Sequence, residues 1–117
     1  MFSRESRKIG EPPSRKGKFE TLPFSRQQKD KARRQHPQCG QVALEVHHKN
    51  PYYQSRDDSD NNAVAVTRPE HAIEHFRLAT NSTEWSDAKI NYWAVNQIVK
   101  RMTPSELNEF NRKLVKN

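Results

Sequence analysis

LEVHHKNP occupies positions 44–51, a short apolar alternation that ends in two adjacent imidazoles, His47 and His48. Val42, Leu44 and Val46 alternate with other residues, the period of a strand with one buried face, so a strand is expected over 41–48. Successive side chains of a strand point to opposite faces, and two neighbouring rings therefore cannot easily share one task. Residues 49–62, KNPYYQSRDDSDNN, have the Asn/Asp/Ser/Pro composition of a long loop, and AVAVT (63–67) reads as a second strand. TRPEHAIEHFRLA then reads as a helix running to about Ala79. Thr67 and Glu70 fit a capping box, with Pro69 in the first turn, where its missing N–H does no harm. On that helix His71 and His75 are four apart and share a face, while Ala72, Phe76 and Ala79 form the neighbouring, core-facing stripe.

These elements suggest what the adjacent rings are for. If the strands pair as a hairpin and the helix packs across them, His71 and His75 project towards the strand end, and one of the two neighbours joins them around a cation. Three imidazoles suit a transition metal such as zinc, nickel or cobalt, and a position remains for water or a phosphate oxygen. The other ring, on the opposite face, is left to take a proton. A pair of histidines four apart on a helix is by itself weak evidence, since most such residues are ordinary surface groups. The weight comes from their combination with the strand pair.

The stretch 44–76, less than a third of the chain, resembles the ββα-metal nucleases, also called HNH or His-Me finger nucleases. Within them it looks most like the nuclease-type colicins and pyocins, whose signature is an acidic residue before His-His, then an Asn, then His-x3-His. The resemblance implies that His47, His71 and His75 hold one divalent ion (zinc, nickel, magnesium or manganese) and that His48 is the general base. It implies that Asn62, rather than Asn61 beside it, pins the loop and so orients the strand bearing His48. Glu45 matches the acidic position, where it would hold an arginine near the scissile phosphate. The implied reaction is hydrolysis of DNA with little sequence preference, leaving 5′-phosphate and 3′-hydroxyl ends, with a rate that rises through the imidazole range near pH ~6.5. Two other readings stay open: the same chemistry on RNA, and a non-catalytic nucleic-acid-binding module with a structural zinc. Where many family members carry the Cys-x2-Cys-Gly of a zinc ribbon, this chain has HPQCG (36–40), and no zinc knuckle is expected there.

The rest of the chain gives the setting. Its 117 residues, 32% hydrophobic and 30% charged, with a mean hydropathy of -1.17, allow one domain with a thin core. Three segments are expected: a basic, partly extended arm (1–35), the ββα core (36–80) and a helical extension (81–117). The formal charge of +7 is concentrated in the arm, where 11 Lys/Arg face 4 acids, while the remainder is balanced. A basic arm beside a neutral body suits a polyanion such as DNA. An acidic immunity or inhibitor protein would be the complementary partner if this is a delivered toxin domain acting on cytoplasmic DNA. Ser25 is a plausible N-cap for a surface helix over 25–36. In the extension, a helix over 82–102 should bury Trp85, Ala88, Tyr92, Val95 and Val99, with Trp93 also in the core. A second, opened by a Thr103/Glu106 capping box with Pro104 at its first position, should bury Leu107, Phe110 and Leu114. One cysteine, Cys39, excludes an internal disulfide framework. There is no apolar run long enough for a membrane span, and the charge from Arg4 onward argues against a secretory signal.

Overall fold

A computed structural model describes residues 23–116, so most of the expected basic arm lies outside the described residues. The fold is α+β: a two-stranded antiparallel hairpin runs into a long helix and is followed by two more. Contacts among the described residues gather into two compact units that divide between Thr67 and Arg68.

In the first unit, helix α1 (Arg26–Arg34) opens with a complete capping box. The Gln28 N–H donates to Ser25 Oγ at 3.1 Å, and the Ser25 N–H donates to Gln28 Oε1 at 2.9 Å. Together they satisfy two backbone donors that helix geometry leaves without partners. Lys31, Arg33 and Arg34 fill the last turn, where the negative end of the helix favours them. α1 packs on the hairpin through a small buried surface, with Phe24 and Ala32 both buried. The Gln28 amide also donates to the Asp58 carbonyl at 2.8 Å and to Asp60 Oδ1 at 3.0 Å, and Lys31 Nζ reaches Asp60 Oδ2 at 3.2 Å. These donors hold the Asp60 carboxyl below its ordinary range.

Strand β1 (Leu44–His48) pairs antiparallel with β2 (Ala63–Thr67) in the register Leu44↔Thr67, Glu45↔Val66, Val46↔Ala65, His47↔Val64 and His48↔Ala63. β1 starts three residues later than the alternation suggests. Gly40 adopts φ 82°, and the Gln41 and Val42 N–H groups both donate to the Gln38 carbonyl. A turn therefore takes the backbone groups that a ladder would need, and Val42 is exposed. Cys39 lies exposed in this turn, and the Gln38 N–H donates to His36 Nδ1 at 3.0 Å. The connection between the strands is more ordered than a plain loop. It contains a one-turn helix α2 (Tyr52–Ser55) and a 3-10 turn over Asp60–Asn62.

The second unit begins where β2 ends: Thr67 closes the strand and Arg68 opens α3 (Arg68–Thr80). α4 (Trp85–Arg101) and α5 (Pro104–Lys116) follow. The expected Thr103/Glu106 box is present: the Glu106 N–H donates to Thr103 Oγ1 at 3.2 Å, and the Thr103 N–H donates to Glu106 Oε1 at 2.9 Å. Glu106 also meets Arg68 at 3.2 Å, which ties the first turn of α5 to that of α3. The core joins Ala72 and Ile73 of α3, Val95, Ile98 and Val99 of α4, Met102 and Phe110, with Phe76, Leu107 and Leu114 packed around it. Trp85 is not part of it, being 72% exposed. It occupies the first helical position, and side chains there lean towards the N-terminal end, beyond the packed turns. Trp93 is half-buried. No helix among the described residues is long and apolar enough to cross a membrane.

Candidate metal centre

The hairpin sorts the two adjacent histidines by face. The pleat places His47 with Glu45 and Val64 on one side and His48 with Val46, Ala63 and Ala65 on the other. His47 is buried, 7% exposed. His48 stacks on Phe24, the ring centroids 4.1 Å apart and the planes 24° from parallel. This burial pushes the His48 imidazole below its ordinary pKa, and the nearby Asp58 and Asp57 carboxylates pull it back only in part. The neutral ring is therefore favoured at neutral pH.

On α3 the i,i+4 spacing brings His71 and His75 to a centroid separation of 5.0 Å. His47, His71 and His75 each offer one ring nitrogen, and all three atoms lie within 4.8 Å of one another. On a tetrahedral zinc with bonds of ~2.1 Å, ligand nitrogens sit roughly 3.4 Å apart. The donor set fits a borderline ion such as zinc or nickel, which imidazole suits, better than magnesium, which prefers oxygen ligands. This is the one group of three or more potential ligands among the described residues.

Asn62 is 2% exposed and holds the loop across its width. Its Oδ1 accepts the Asn50 N–H at 2.7 Å, while its Nδ2 donates to the Asn50 carbonyl at 3.0 Å and the Asp57 carbonyl at 2.8 Å. Its own carbonyl accepts the Lys49 N–H at 2.9 Å. One side chain thus fixes the backbone immediately after His48, whereas Asn61 is exposed. Replacing Asn62 by Ala is expected to lower stability by about 1–3 kcal/mol, since it strips several hydrogen bonds from a buried position. Urea denaturation measures this, and a change of a few tenths would mean the loop is held by something else.

Glu45 is half-buried and stands opposite Val66. A residue that the sequence reading did not single out is Asn91 of α4, 2% exposed, whose Oδ1 lies 2.9 Å from His75 Nδ1. The available signal was positional: Asn91 interrupts the apolar stripe that runs through Ala88, Val95 and Ile98 of α4.

No protein-family model, no curated protein and no solved structure matches this chain.

Proposed function

We propose that the protein is a metal-dependent endonuclease that hydrolyses DNA phosphodiester bonds with low sequence specificity. The observation that carries the reading is the convergence of ring nitrogens from His47, His71 and His75 to within 4.8 Å, with a fourth imidazole, His48, next in sequence. Three protein donors is the number used by catalytic zinc sites, which keep a position for water or substrate, whereas structural sites close with four. This count among the described residues favours catalysis over a purely structural zinc.

A divalent ion held by the three imidazoles would supply fixed positive charge where negative charge grows on the phosphate. The remaining work belongs to the chain. Neutral His48 would accept a proton from the attacking water at a ring nitrogen, its ring held against Phe24. Asn62 holds the loop that follows, so the base stays aligned through the strand end. Glu45, on the same pleat face as His47, would orient an arginine on the phosphate. The surplus of Lys and Arg in residues 1–35 supplies phosphate contacts without sequence preference, and suits an acidic inhibitor protein as partner.

Plasmid digestion after chelation, with Mg²⁺, Mn²⁺, Ni²⁺ or Zn²⁺ restored in turn, tests the reading. Cleavage should disappear with chelation and return with at least one ion. Persistent cleavage in chelator would exclude the metal role, and digestion of total RNA in preference to plasmid would move the chemistry to RNA.

A further inference from the structure

We infer that Asn91 is a positioning residue that fixes the tautomer of His75 and so selects Nε2 as the nitrogen presented to a metal. The inference rests on the proposed metal site, but its first half concerns only groups within the helical unit. Asn91 lies in the middle of α4 with 2% of its surface exposed, a costly place for an amide that lacks partners. Both ends of the amide are engaged. Its Nδ2 donates to the Asp87 carbonyl at 2.9 Å, one turn back on the same helix. A carbonyl oxygen can only accept, so that contact settles which end of the amide is nitrogen. The opposite end, Oδ1, must then face His75, and it lies 2.9 Å from Nδ1.

An amide oxygen carries no proton to give. For the contact to be a hydrogen bond, His75 must donate, which places the proton on Nδ1. A neutral imidazole carries one proton, so the lone pair is on Nε2, and that atom alone remains to ligate. The same bond restrains the rotation of the ring about its axis. Partners of this kind, on the far nitrogen of a ligating histidine, set ring orientation and basicity. It also gives a reason for helix α4 to carry a polar residue on its apolar stripe: α4 contributes to the site without touching an ion.

The test reads the tautomer directly in metal-free protein. Long-range ¹H–¹⁵N correlation spectra recorded at about pH 8, above the ordinary imidazole range near 6.5, should show His75 protonated at Nδ1. Protonation at Nε2 would overturn the inference whatever the protein does with metals. Calorimetric titration with Zn²⁺ supplies the second reading. Asn91→Leu should weaken binding by about 10–100-fold and release the tautomer preference. Asn91→Asp, which retains an acceptor facing Nδ1, should keep the Nδ1–H signature and bind to within a few-fold of wild type. Equal affinity in Asn91→Leu and wild type would also overturn it. If Asn91→Leu does not fold, the wild-type spectrum and Asn91→Asp decide. A wild type that shows the Nδ1–H signature but binds no ion would leave the tautomer assignment standing and defeat the metal site instead.

Discussion

Alanine at position 48 is expected to slow DNA cleavage by about 10²–10⁴-fold while leaving metal content and DNA binding intact, the usual range for loss of a general base. The separation of effects follows from the pleat. His48 faces away from His47, so truncating it removes no ligand. Its ring does contribute to folding through the stack on Phe24, worth about 0.5–1.5 kcal/mol for an aromatic pair. Rates must therefore be compared at a temperature where melting curves show both proteins folded. His48→Ala that nicks plasmid at the wild-type rate would remove the base assignment. Loss of cleavage together with loss of bound metal would mean that the two rings are not functionally separate.

Phe110→Ala should lower stability by about 3–5 kcal/mol, the largest folding effect expected of a single truncation among the described residues. Phe110 is fully buried and is the largest such side chain among the described residues. It sits among Ala72, Ile73, Val95, Ile98, Val99 and Met102, so it bridges all three helices of its unit. Small domains have only about 5–15 kcal/mol in total, and a core this thin has few other large side chains to compensate. The void would lie beneath α3, the helix that displays His71 and His75. Guanidinium denaturation gives the number directly. A loss below about 1 kcal/mol would show that the site collapses around the missing ring or that the helices are held mainly elsewhere.

Much of this organisation is legible in the residues, for reasons that differ between elements. The hairpin and α3 announce themselves because β-branched alternation and a 3.6-residue period cannot be satisfied by one conformation. The i,i+4 spacing of His71 and His75 makes them neighbours wherever the helix packs, and the convergence of His47 on them completes the candidate site. The Thr103/Glu106 box and its helix follow from local backbone chemistry alone. What escapes the sequence is non-local or very short. The start of β1 is decided by a left-handed glycine and two donors captured by Gln38, and α2 is a single turn without a period to detect. Trp85 looks like core by its type and its spacing from Ala88 and Tyr92, yet it stands at a helix end beyond the packed turns. Asn91 reads as an ordinary polar residue until its partner across the helix pair is known.

Imidazoles from the strand end and from α3 are proposed to share one cation. Titration of the metal-free protein with Co²⁺, followed by its visible absorption, tests it most directly. One ion per chain is expected, with a spectrum of low-symmetry nitrogen coordination that is lost when His71 and His75 are both replaced by alanine in a protein that remains folded. Absence of binding, or a double variant that binds as the wild type does, would contradict it.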